Sequence, residues 1–436
     1  MSGTAELRDE VVELARQLIR LDTSNPPGNE TPAAELLAAH LRAAGVEQLE
    51  LAGPDPERLN LVARIPGAGE GPSLMLLAHT DVVPAPPEGW SVGPFEGALV
   101  DGRLVGRGAV DMKNELAART VAFAALARSG TTPPGDVVLV AESDEERNAS
   151  DVGMSWLVRE RPDLRCDLAL NEGGGVLLEL AGGERVAPVS IGEKVVTAVR
   201  IRMLGSGGHA SIPNGSDNPL GHAATAIDRL LARRPELRME PGLAAALADL
   251  GAPAGGAGAL VAWAATENPT LGRLVSAASQ MTIVPTGALA SEPPNVIPGF
   301  ADVVCDCRAL PGEGEAEITA EIDAALAGLR YEVEFLEPPA GGTRSPLDSP
   351  LYRTIERYLF ERAPGARALP IIDAGFTDSH FVRQAWATDA YGFAPLLHGD
   401  SGAYLDAAHA ADESIAVDDL VEMAEFHLFA LRELWR

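Results

Sequence analysis

The sequence predicts an α/β protein of two units: a larger domain built from residues 1–192 and 312–436, and an inserted α+β unit over 193–311. Three observations predict it. Through residues 1–192, short apolar runs (59–65, 73–79, 136–143 and 166–172) alternate with Ala- and Leu-rich helical stretches such as 115–130; that alternation marks a sheet covered by helices. From Val195 the pattern changes to a strand, a Gly-rich turn, a helix near 218–234 and a strand pair ending at Arg308. After Pro311 the alternation returns, with helices at 315–329 and 349–363 and a strand at 331–337.

The first element, 5–20, spaces Leu7, Val11, Leu14, Leu18 and Ile19 at helical intervals between charged residues. It reads as an amphipathic helix, because an export signal needs an uninterrupted apolar core of about 7 to 15 residues. No stretch approaches the roughly 20 charge-free apolar residues of a membrane span. Asp and Glu number 63 against 34 Lys and Arg, a formal charge of −29 that repels nucleic-acid phosphates and anionic lipid, so neither nucleic acid nor membrane is an expected partner. Three cysteines in 436 residues (Cys166, Cys305, Cys307) make neither a disulfide framework nor a four-thiolate zinc site, and the expected compartment is a reducing cytoplasm. Strand alternation puts Asp302, Val304, Asp306 and Arg308 on one face and Val303, Cys305 and Cys307 on the other, so the last two read as core.

The chemistry gathers where strands end. His79 closes the run 73–79, and period two points His79 and Asp81 the same way, which puts a carboxylate where it can accept the second ring N–H of a metal-held imidazole. Three further segments end in acids: Asp111 after 106–110, Glu145 and Glu146 after 136–143, and Glu172 after 166–171. Ligands of an open α/β sheet collect at the carboxyl ends of its strands. Carboxylates converging there repel one another unless cations fill the space between them. A lone Glu-Glu pair is ordinarily a solvated turn, so the weight lies on the ordered set. His409 offers a second imidazole, with Glu413 on the same face if a helix begins there. Two metals need a bridging carboxylate and terminal ligands on each side, which this inventory can supply, although spacing alone does not assign them.

These residues occur in the order expected of a known family: His79-Thr80-Asp81-Val82-Val83-Pro84, Gly106-Arg107-Gly108-Ala109-Val110-Asp111-Met112-Lys113, Asp144-Glu145-Glu146, Asn171-Glu172-Gly173, Gly207-Gly208-His209-Ala210-Ser211, Asn295-Val296-Ile297-Pro298 and His409. The chain resembles the zinc-dependent family of aminoacylase, acetylornithine deacetylase, succinyl-diaminopimelate desuccinylase and carboxypeptidase S over nearly its whole length. The resemblance implies a mixed-sheet catalytic domain and a ferredoxin-like insert serving as lid and dimerisation domain, hence a homodimer. It implies two zinc ions, with cobalt or manganese as substitutes. His79 and Glu172 would bind one, Glu146 and His409 the other, and Asp111 both. Asp81 would orient His79, Glu145 would act as general base, and His209 would steady the oxyanion from its own or the partner subunit. Asn295 and Arg308 would hold a carboxylate of a small-molecule substrate.

Departures from the usual family pattern fall at Asn114-Glu115, at Arg147-Asn148-Ala149-Ser150 and at His380, where arginine is frequent; His380 is taken as a substrate contact. The expected function is amide hydrolysis of N-acyl amino acids or small peptides with a free carboxylate. The competing expectation is a metal-binding protein without catalysis, against which stands the retention of Glu145. A nucleotide-binding enzyme lacks its fingerprint, because 106–111 is too short a Gly-rich loop.

Overall fold

Strands that are apolar without alternation are buried on both faces. Three such strands, Leu74–His79, Val137–Glu142 and Leu168–Asn171, form the centre of the larger unit. In the computed structural model, which describes residues 2–290, 293–399 and 401–436, every residue of these strands is buried. They run parallel, with His79 level with Glu142 and Leu76 with Leu170. The sheet is mixed: Asn60–Ile65 and Gln48–Ala52 add antiparallel on one side, and Asp389–Gly392, Arg185–Glu193 and Ala366–Asp373 follow on the other. Helix Lys113–Ser129 packs on this sheet and carries Ser2–Ile19 and Val417–Glu433 against it, burying Leu18, Ile19, Phe123 and Phe426. Helices Met154–Glu160 and Ser379–Trp386 bury Met154, Leu157, Val382 and Trp386 with Met75 and Val138 in a second cluster.

The smaller unit is an antiparallel sheet ordered Thr282–Leu289, Phe300–Ala309, Val195–Leu204 and Tyr331–Phe335. Helices Pro219–Ala232 and Glu315–Ala325 supply its apolar cover. Val195–Leu204 alternates buried and half-buried along its length, and Cys305 and Cys307 are wholly buried in this core.

Packing divides the chain differently from the expected boundaries at 192 and 312. Ile318, Ile322 and Leu326 belong to the smaller core, and Tyr331–Phe335 pairs with Val195–Leu204, so the small unit continues past residue 312. Conversely, Pro241–Asp249, Ala257–Glu267 and Pro269–Ala278 place Leu243, Leu247, Leu271 and Val275 in the larger core. An amphipathic pattern shows that one face is covered, not which sheet covers it. Among the described residues no helix is long and apolar enough to cross a membrane.

His427 lies fully buried on Val417–Glu433, and neither ring nitrogen has a hydrogen-bond partner among the described residues. Burial, and then the charge of Arg119, hold its pKa well below the ordinary value. The folded protein therefore keeps this ring neutral, whereas an unfolded chain protonates it below about pH 6.5. Its contribution is complete above that pH and is lost progressively as pH falls from there toward the lowered pKa of the folded state. His427→Leu is expected to lose less melting temperature than the parent between pH 7.5 and 5.5, as followed by circular dichroism.

Candidate metal centre

Because the three central strands are parallel, their carboxyl ends lie on one edge of the sheet and deliver their acids and His79 together. His79 is the last residue of its strand, the 143–148 loop follows Glu142, and Glu172 follows Asn171. Asp111 enters from the turn before helix Lys113–Ser129. His409 enters from a turn after Ser401–Ala407. No helix carries His409 and Glu413 together: residues 408–412 form turns, and His409 holds a left-handed φ of 64°.

Asp111 stands between the two imidazoles. Its Oδ1 lies 3.1 Å from His79 Nε2 and its Oδ2 lies 3.2 Å from His409 Nε2. Glu172 Oε2 is 3.6 Å from His79 Nε2, and Glu146 Oε2 is 3.3 Å from His409 Nε2. Glu145 Oε2 is 4.0 Å from His79 Nε2. Ligand atoms held about 2.1 Å from one tetrahedral ion lie roughly 3.4 Å apart, and the donor atoms of His79, Glu145 and Glu172, like those of His79, Asp111 and Glu146, lie within 4.8 Å of one another, a spacing and donor chemistry that suit divalent ions.

Electrostatics point the same way. Burial, reinforced by Glu172, pushes the Glu145 carboxyl well above the ordinary value. Burial also lifts Glu172 to about 7 against the opposing effect of His79. Hydrogen bonds to Asp111 and Glu146 hold His409 up at about 10. For His79, burial acts downward but is outweighed by contacts with Asp111, Asp81 and Glu172. The pocket is short of positive charge, which a divalent cation supplies without a proton.

Asp81 is arranged differently from expectation. The strand ends at His79, so its alternation does not extend to residue 81, and the acceptor nearest His79 Nδ1 is the main-chain oxygen of Asp81 at 2.9 Å; the carboxylate is 3.5 Å away. That carboxylate instead accepts the main-chain N–H groups of Glu145 and Glu146, both at 3.2 Å. Asn25, to which no role was assigned, donates from Nδ2 to Asp81 at 2.9 Å and to Asp144 at 2.8 Å. Arg58 in turn joins Asp144 to Glu30.

A cavity of about 580 Å³ opens onto this group and is lined by Asp111, Glu145, Glu146, Glu172 and His409, with Arg308 on the smaller unit's side. The Nε of Arg308 donates to Asp306 at 3.0 Å, and its terminal nitrogens have no partner among the described residues. His209 and Asn295 do not line the cavity. Both are exposed on a short ribbon, where His209 pairs with Val296. His380 is also not part of the wall, where Phe376 and Phe381 stand instead. It sits at the start of helix Ser379–Trp386 with its ring against both phenylalanines, and burial, then Arg383, take its pKa down to about 4.

Known proteins share this arrangement of chain. The model of Peptidase family M20/M25/M40 matches residues 75–433. A succinyl-diaminopimelate desuccinylase from Methylobacterium sp. is 30% identical over 428 residues, covering 94% of this chain and 92% of that protein. Another, from Gluconacetobacter diazotrophicus, is 36% identical over 228 residues; there the match spans 50% of this chain and only 56% of the relative. An M20 family metallo-carboxypeptidase from Sulfolobus solfataricus has the same fold, with a TM-score of 0.73 at 18% identity over 98% of this chain and 99% of that one. The chain belongs to peptidase family M20/M25/M40, a family of hydrolases that cleave peptide and related amide bonds.

Proposed function

We propose that the protein is a two-metal amidohydrolase acting on N-acyl amino acids or small peptides that end in a free carboxylate. The observation that carries this is the Asp111 carboxylate, which offers one oxygen toward each of two imidazoles. In this proposal His79 and Glu172 hold one ion, His409 and Glu146 the other, and Asp111 both, with zinc first in line and cobalt or manganese as substitutes. Divalent ions in such a set polarise the amide carbonyl and lower the pKa of the attacking water.

The chain's own residues do the rest. Glu145 lines the cavity and takes the proton of the attacking water, then passes it to the leaving amine. Asp81 holds the main chain of Glu145 and Glu146, so that base and ligand move as one. The unpaired end of Arg308 receives the substrate carboxylate as a bidentate pair. Relatives named succinyl-diaminopimelate desuccinylase support an acylated amino acid as substrate. His209 and Asn295 serve a site only if another copy of the chain brings them there, as in a homodimer. A metal carrier without chemistry leaves the presence of Glu145 in the cavity unexplained.

Glu145→Gln is expected to keep about two metal ions by elemental analysis while its turnover of N-acetyl, N-succinyl and dipeptide substrates falls about 10²- to 10⁴-fold. A metal-free preparation with full activity would overturn the proposal. Arg308→Ala is expected to raise KM about tenfold or more with a smaller change in kcat, and only on substrates with a free carboxylate. Equal effects on the carboxamide analogue would remove that role.

A further inference from the structure

Glu413 is fully buried, yet none of its oxygens faces the cavity. Oε1 accepts the main-chain N–H groups of Val110 at 2.7 Å and Asp111 at 3.0 Å. Oε2 accepts from Arg107 Nη1 at 2.5 Å. Arg107 is itself buried, and its Nη2 donates to the main-chain oxygen of His409 at 3.1 Å. The Gly106 N–H closes the loop on the main-chain oxygen of Glu413 at 2.9 Å, and Arg103–Val105 pairs with Ser414–Ala416.

One carboxylate thus grips the backbone of Asp111, and through one guanidinium it grips the backbone of His409. These are the two residues whose side chains meet at 3.2 Å. His409 also needs an external hold, because a non-glycine residue at a φ of 64° keeps that conformation only where its surroundings impose it. Both Glu413 oxygens are committed to these donors, which leaves it no part as a metal ligand. Supports of this kind behind a ligand set its orientation, and their loss commonly costs 10- to 100-fold in metal affinity.

We infer that Glu413 and Arg107 form a clamp that sets the spacing of Asp111 and His409, and with it the affinity for the ion on the His409 side. This inference rests on the two-metal proposal above. Glu413 and Arg107 are positioning residues, since both act through the main chain of other residues.

The test is calorimetric titration of zinc into metal-stripped protein, with circular dichroism to follow the fold. The parent is expected to bind two ions. Glu413→Gln keeps one main-chain acceptor and loses the charge facing Arg107, while Arg107→Lys keeps the charge and cannot reach both Glu413 and His409. In each, affinity for one of the two ions is expected to fall 10- to 100-fold. Saturating zinc should restore kcat toward the parent value with KM unchanged, a recovery that general destabilisation does not give. If Glu413→Gln does not fold, Arg107→Lys decides on the same titration. Folded variants that bind both ions like the parent overturn the clamp alone. A parent chain that takes up no divalent ion overturns the two-metal proposal, and the clamp falls with it.

Discussion

Repulsion between buried carboxylates is the constraint on which this structure depends. Two like charges 4 Å apart repel by about 4 kcal/mol even at an effective dielectric constant of about 20, and the sheet edge brings carboxylate oxygens of Glu145 and Glu172, and of Asp111 and Glu146, within 4.8 Å of each other. The fold neutralises most of them with its own donors. Asp81 takes the N–H groups of Glu145 and Glu146 and the amide of Asn25. Glu30 and Asp144 share Arg58, and Glu413 takes Arg107 and two main-chain N–H groups. Asp111, Glu145 and Glu172, by contrast, receive no hydrogen-bond donor other than imidazole among the described residues. The molecule compensates its supporting acids and leaves these three open, whereas Glu146, also in the cavity wall, accepts the Val83 N–H at 3.2 Å.

Topology supplies the convergence. Parallel central strands bring His79, the 143–148 loop and Glu172 to one edge, which an antiparallel trio would scatter to both. The other two contributors come from loops stitched by the short pairing of Arg103–Val105 with Ser414–Ala416. The far wall, including Arg308 and Val196, stands on strands of the smaller unit, so the cavity lies between residues held by two separate cores.

Much of this was legible in the sequence where the signal is local. Apolar runs ending in His79, Glu145-Glu146 and Glu172 locate the strand ends, and alternation from Asp302 to Arg308 separates the cysteines from the arginine. What stayed illegible depends on partners distant along the chain. Asn25 finds Asp144 across 119 residues, and Val110 finds Glu413 across 303, and no local period encodes such a pairing. His380 followed a motif position, but its helix turns the ring into the packing against Phe376 and Phe381. The unit boundaries slipped for the same reason: Glu315–Ala325 buries Ile318 and Ile322, Pro241–Asp249 buries Leu243 and Leu247, and only the assembled molecule shows which core each one joins.

The clamp between Arg107 and His409 spans 302 residues, and that separation has a consequence during synthesis. At roughly 5 to 20 residues per second, about 15 to 60 s pass between the emergence of the two ends. On the two-metal proposal, the ligands of one ion, His79, Asp111 and Glu172, lie on the early side of that interval, whereas those of the other are complete only with His409. A nascent or truncated chain that stops short of residue 409 therefore carries the residues proposed for one ion and lacks the imidazole proposed for the other.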